Sequence, residues 1–146
     1  GTGALPGPQA GWGGIMSDRE LLLLAEEARQ HSYSPYSHFS VGAALLCQDG
    51  SVYKGANIEN ASYGATNCAE RTAIFATYAY GYRKDDIEAI AIVTNGDRIG
   101  APCGVCRQVL SELINQDTPI ILSNKKETVI KTIAELLPMQ FSSEDL

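Results

Sequence analysis

Apolar residues recur at helical spacing at Leu21, Leu24, Ala25 and Ala28, behind Ser17 as a possible N-cap with Glu20 three positions on. That pattern predicts an amphipathic helix from Ser17 to about His31, its apolar face against a sheet. A Ser-, Tyr- and Pro-rich stretch from Ser32 to His38 interrupts the pattern. Two short apolar runs then follow, Val41 to Cys47 and Ser51 to Asn57, either side of the turn signal Gln48-Asp49-Gly50. They predict a β-hairpin. Asn67 to about Tyr80 is rich in Ala and aromatic residues and stops at Gly81, as a buried helix with a glycine after its last turn does. Ile87 to Thr94 (IEAIAIVT) is β-branched and almost uninterrupted, the pattern of a central strand covered on both faces. Pro102 can open the next helix, which continues through Val105, Val109, Leu110 and Leu113. Ile120 to Leu122 and Thr128 to Ile130 flank only the five polar residues Ser123 to Glu127, too few for a crossover helix, so this last pair must run antiparallel. Ile133 to Leu137 reads as a short helix ended by Pro138, before the largely polar tail FSSEDL that begins at Phe141.

The order helix, two strands, helix, strand, helix, two strands predicts one α/β domain over 16–146, a three-layer α/β/α sandwich around a five-stranded mixed sheet. Residues 1–15 hold six Gly and two Pro without periodicity, and Met16-Ser17-Asp18 resembles a native start. Residues 1–15 are therefore expected to be a disordered tag or linker remnant. With 146 residues, a second domain has no room. No apolar run approaches the roughly 20 residues that cross a bilayer, so a cytoplasmic protein without a membrane partner is expected. The formal net charge of −6 is the wrong sign for gathering phosphates, which disfavours nucleic acid as a partner.

Two of the four cysteines change the picture from fold to chemistry. Cys103 and Cys106 stand three apart at the start of a predicted helix, and Cys68 begins another. A C-x-x-C pair alone is compatible with a structural zinc, a redox couple or a catalytic metal. A third sulfur from Cys68 leaves zinc with one open coordination position, where bound water becomes acidic enough to serve as a nucleophile. A closed site lacks a fourth ligand, because Cys47 lies within an apolar strand and neither histidine has ligand spacing. A thioredoxin-like couple fits poorly, because eight residues separate Thr94 from Cys103 and Cys68 stays unexplained. Glu70, two residues from Cys68, can move protons without binding the metal.

Cys68-Ala69-Glu70 followed by Pro102-Cys103-Gly104-Val105-Cys106 resembles the signature of the zinc-dependent nucleoside deaminases, with Cys in place of the His of the H-x-E variant. The similarity extends to Phe39-Ser40-Val41-Gly42-Ala43-Ala44, to Asn57-Ile58-Glu59-Asn60-Ala61-Ser62-Tyr63 and to Arg107-Gln108, in the order and spacing of the small homotetrameric cytidine deaminases. The resemblance implies one Zn2+ per chain on Cys68, Cys103 and Cys106, with zinc hydroxide attacking C4 of cytosine. It implies that Glu70 carries a proton to N3 and then to the departing amine, converting cytidine and 2′-deoxycytidine to uridine and 2′-deoxyuridine in pyrimidine salvage. It further implies that Asn57 and Glu59 bind the ribose, that Phe39 packs on the base, and that Ala69 contacts substrate. Tyr63 and Phe141 are expected to reach into a neighbour's pocket, so that a homotetramer shares its active sites.

Arg71 is expected to donate hydrogen bonds to the ligand sulfurs, which offsets the net negative charge of zinc with three thiolates. A blasticidin S deaminase also carries C-A-E and P-C-G-x-C-R-Q, but Glu59 favours the nucleoside. An adenosine deaminase acting on tRNA is disfavoured by its His ligand, by the helix between its last strands and by its RNA substrate. A zinc-stabilised domain without activity is the remaining alternative, and it predicts zinc without turnover.

Overall fold

The computed structural model describes Ala4–Leu5 and residues 16–146. The elements in chain order are β1 (Ala4–Leu5), α1 (Asp18–Arg29), β2 (Val41–Cys47), β3 (Val52–Ala56), α2 (Ala69–Ala79), β4 (Ile87–Thr94), α3 (Gly104–Leu113), β5 (Ile120–Ser123), β6 (Thr128–Lys131) and α4 (Ile133–Leu136). The strands lie in the order β1-β3-β2-β4-β5-β6. Five of them form the expected mixed sheet, and the two residues of β1 extend its edge by pairing with Tyr53 and Val52. The rest of the span expected to be disordered, 1–3 and 6–15, lies outside the described residues.

Among the paired strands of the described residues only β4 and β5 run parallel, and β2 is antiparallel to both of its neighbours. The five-residue connection does make β5 and β6 an antiparallel pair.

Side-chain alternation divides each apolar run between two cores. Ala44 and Leu46 of β2, Ala89, Ala91 and Val93 of β4, and Ile121 of β5 pack with Leu21 and Ala25 of α1. Their alternate neighbours Ala43, Leu45, Ile90, Ile92, Ile120 and Leu122 pack with Ala73 and Ile74 of α2, Leu110 of α3 and Ile133 of α4. A strand buried on both faces has no polar positions to spare, which is why IEAIAIVT reads as continuous.

The ends of α1 match the sequence pattern closely. Ser17 Oγ accepts from the Glu20 amide at 3.2 Å and donates to its carboxylate at 3.0 Å. The next two long helices begin later than expected, α2 at Ala69 and α3 at Gly104, because Cys68 and Cys103 stand at the N-cap positions.

Candidate active site

Both helix starts meet at the carboxyl end of β4, and each brings a cysteine at its cap. The Cys68 and Cys103 sulfurs are 3.9 Å apart. With Cys106, one turn into α3, all three Sγ atoms lie within 4.8 Å of one another. Sulfurs about 2.3 Å from a tetrahedral zinc sit about 3.8 Å apart, so the donor set and its spacing fit that ion. Among the described residues no other group of His, Cys, Asp or Glu gathers in this way. Glu70 stands outside the set, and Cys47 is remote from it, 1% exposed, with burial as the main cause pushing its thiol up to about 12.

The local field favours a thiolate. The Cys68 thiol is drawn down to about 5, first by a hydrogen bond from Cys106 and then by Arg71. Arg71 Nη2 donates to Cys68 Sγ at 3.4 Å, the contact expected of it. Cys106 moves the opposite way, since it keeps the proton it shares with Cys68 and is itself buried. The helix N-termini add partial positive charge at Cys68 and Cys103.

Glu70 is 5% exposed. Burial raises its carboxyl to about 6, and the negative Cys68 beside it adds to the effect. It lines a cavity of about 260 Å³ together with Phe39, Val41, Asn57, Glu59, Cys68, Ala69, Ile92, Thr94 and Cys103. Seven of the sequence-predicted positions thus share one wall-to-wall pocket: Phe39, Asn57, Glu59, Cys68, Ala69, Glu70 and Cys103. Cys106 is buried behind them.

The polar pair at the far end of the pocket is already engaged within the chain. Asn57 Oδ1 accepts from the Val41 amide at 2.8 Å and from Ser32 Oγ at 2.5 Å, and its Nδ2 donates to the Phe39 carbonyl at 2.7 Å. Asn57 therefore ties Phe39 and Val41 to the cavity, with one amide N–H left over. Glu59 accepts from the Tyr36 and Ser37 amides at 3.0 and 3.1 Å, and its second oxygen accepts from the Ser37 hydroxyl. Those bonds, the Ser37 hydroxyl foremost, keep its carboxyl below the ordinary range.

Two expected site residues are not brought there by their own chain. Tyr63 is 80% exposed in a turn over Tyr63–Ala65 and faces an adjoining hollow with Tyr36, Ser37, Asn60 and Thr66. Phe141 is 59% exposed in the tail, where its carbonyl accepts from Gln108 Nε2 at 3.0 Å.

One residue in the motif had no expected role and has a clear one. Arg107 donates from Nε to the Pro102 carbonyl and from Nη1 to the Leu136 carbonyl, each at 2.7 Å. It thereby fastens the lead-in to Cys103 onto the end of α4. Its place directly after Cys106 was the available signal.

The signature of the cytidine and deoxycytidylate deaminase zinc-binding region matches residues 16–122. A cytidine deaminase from Halalkalibacterium halodurans is 53% identical over 131 residues, 88% of this chain and 98% of that one. The chain belongs to the cytidine deaminase family. Another cytidine deaminase, from Sporosarcina psychrophila, is 46% identical over 132 residues, 90% of this chain and 96% of that one. The crystal structure of cytidine deaminase from Burkholderia pseudomallei superposes with a TM-score of 0.82 at 45% identity, covering 86% of this chain and 100% of that one. In this zinc-binding family fold, Cys68, Cys103 and Cys106 are the zinc-binding set. Among the described residues no helix is long and apolar enough to cross a membrane.

Proposed function

We propose that the chain hydrolyses the 4-amino group of cytidine and 2′-deoxycytidine, giving uridine or 2′-deoxyuridine and ammonia, as a cytoplasmic enzyme of pyrimidine salvage. The observation that carries this reading is the buried Glu70 carboxyl facing a three-thiol set in one pocket with Phe39 and Glu59. Zinc on Cys68, Cys103 and Cys106 supplies Lewis acidity that makes a water nucleophilic near neutral pH.

Glu70 takes the proton released by that water, delivers it to N3 of the pyrimidine and later serves the departing amine. A carboxyl held near 6 by burial suits both directions of transfer, since neither the acid nor the base form is strongly disfavoured at neutral pH. Arg71 withdraws negative charge through Cys68, which offsets the accumulation of thiolates around the metal. Phe39 covers one face of the base, and Ala69 contacts the base from the wall between Cys68 and Glu70. Asn57 uses its remaining N–H, and Glu59 its carboxylate, on the ribose hydroxyls. Three of the roughly four lone pairs of the Glu59 carboxylate are taken within the chain, so a second ribose hydroxyl is accepted only if the Ser37 hydroxyl lets go.

The active unit in this reading is a homotetramer, in which Tyr63 and Phe141 of one chain complete the pocket of a neighbour. Their exposure outside the pocket that holds their own Glu70 supports it, because large aromatic groups in loops and tails seek burial in an interface. Closed two-fold symmetry makes all sites equivalent.

Ultraviolet absorbance during incubation with cytidine tests the reaction directly. Uridine formation is expected, with free cytosine and blasticidin S far poorer substrates. Zinc bound without any turnover would overturn the assignment. Light scattering tests the assembly, which should have four times the 15.6 kDa of one chain.

A further inference from the structure

Gly55, in β3, lies directly beneath the first turn of α2. A Cβ placed on it comes within 2.3 Å of the Ala69 carbonyl oxygen, 2.9 Å of the Ala73 amide nitrogen and 2.9 Å of Thr72 Cβ. The two contacts to backbone cannot be relieved by a change of rotamer. Non-bonded heavy atoms settle near 3.5 Å, so any side chain at 55 must lift this turn by roughly 1 Å.

The turn seated in this way carries Cys68, Glu70 and Arg71. Its approach is also pinned sideways, because the Asn67 amide and carbonyl each exchange a 3.0 Å hydrogen bond with Ile58. Cys103 and Cys106 come from a different helix, α3, with its own footing on Leu110 in the core. A sulfur set drawn from two helices keeps its spacing only if both stand at fixed heights over the sheet.

We propose that Gly55 is a positioning residue for the metal centre: its missing side chain sets the height of the α2 first turn, and with it the place of Cys68 and Glu70 relative to Cys103 and Cys106. The inference rests on the zinc and proton-transfer roles assigned above.

The same fold contains a matched control. A Cβ on Gly42, in β2, comes within 2.1 Å of the Ala25 carbonyl oxygen and 2.4 Å of the Arg29 amide nitrogen. That contact seats α1 on the opposite face of the sheet, and α1 carries no site residue.

Gly55→Ala and Gly42→Ala, both as zinc-loaded protein, should lose comparable thermal stability but differ in everything tied to the site. For Gly55→Ala, zinc transfer to a chromogenic chelator should be at least about tenfold easier, on the scale seen when groups that orient metal ligands are lost. Its kcat should fall about 10²-fold while KM changes by less than about threefold, the mark of misplaced reacting groups rather than lost binding. Gly42→Ala should keep both zinc retention and kcat within about twofold of wild type.

Should Gly55→Ala prove insoluble, Ala73→Ser widens the same helix–sheet contact by a single atom. It should shift zinc retention and kcat in the same direction by a smaller factor. Wild-type zinc retention and kcat in folded Gly55→Ala, or in Ala73→Ser where that variant replaces it, would overturn the proposal. So would an equal loss in Gly42→Ala. If the wild type turns over no cytidine, the assigned reaction falls, and the chelator comparison still decides the role of Gly55.

Discussion

The two ends of the pocket are built on opposite plans. At the metal end three sulfurs and Glu70 stand at the starts of two regular helices, Glu70 and Cys106 buried, Cys68 half-buried and Cys103 exposed, with Arg71 already hydrogen-bonded to Cys68. At the end proposed to take the sugar, Glu59 is tied to the loop residues Tyr36 and Ser37, and the aromatic groups Tyr63 and Phe141 expected to close the site are exposed outside the pocket. A metal centre tolerates little displacement, so its parts belong on elements that cannot move separately. A nucleoside must enter and leave, so its other end belongs on loops and, in the proposed assembly, on a neighbouring chain. In the proposed assembly the difference means that one chain supplies the reactive half of the site but only part of the binding half.

Removing a sulfur should have the largest effect. Cys103→Ala should lose zinc and all measurable turnover, while Cys47→Ala keeps near wild-type zinc by elemental analysis; zinc loss from Cys47→Ala would break the three-sulfur description. Next comes Glu70→Gln, which should retain zinc and lose turnover beyond the ~10²- to 10⁴-fold typical of one acid–base group, since several transfers use it. The same variant separates activity from stability. A carboxyl raised from 4.5 to about 6 on folding weakens the fold as pH rises through that interval. Zinc-free Glu70→Gln should therefore be more stable than wild type at pH 7, by at most about 2 kcal/mol, with the gain gone near pH 4 in denaturant titrations.

Arg71→Gln should hold zinc and lower turnover about tenfold, with roughly 1.5 kcal/mol assigned to one charged hydrogen bond. Glu70 must be ionised to accept the first proton, so kcat/KM of the wild type falls as pH drops through about 6. Loss of a cation that favours the ionised form moves that acid limb upward, and an unshifted limb in the pH–rate profile would rule out the assigned role of Arg71.

At the sugar end the effects should be smaller and confined to binding. Phe141→Ala should raise KM several-fold with zinc content unchanged, and a fully active monomer by light scattering would show that the pocket closes without a neighbour. Ser37→Ala frees the Glu59 oxygen that the hydroxyl occupies. It should lower KM for cytidine by about two- to threefold, the scale of one neutral hydrogen bond exchanged for another.

The metal end was legible in the sequence and the sugar end only in outline, for a physical reason. Cys68, Glu70, Cys103 and Cys106 act through spacing along a chain segment, and a helix converts that spacing directly into geometry. The limits of β4, Ile87–Thr94, were equally plain because burial on both faces leaves an apolar run interrupted only by the exposed Glu88 before Thr94. The starts of α2 and α3 were displaced by two residues because cysteine at a cap gives no Ser, Thr, Asp or Asn signal. The Glu59–Ser37 bonds join positions 22 apart, and the Arg107–Leu136 bond joins positions 29 apart, which local patterns do not encode. Nor does a Gly- and Pro-rich stretch disclose the two-residue pairing of Ala4–Leu5 with β3.

The double grip of Arg107 has a consequence for how freely the surrounding sequence can drift. Both of its acceptors are main-chain carbonyls, of Pro102 and Leu136, and every amino acid offers one. Substitution at position 136, or elsewhere along the last short helix, leaves the acceptor in place so long as the backbone keeps its course. The guanidinium end has no such latitude, since lysine lacks the planar fork that reaches two carbonyls at once. Mutational scanning across this corner should therefore be sharply asymmetric, with the exposed α4 positions Ala134 and Glu135 permissive in side-chain identity, Ile133 restricted only by its burial in the core, and position 107 admitting arginine alone.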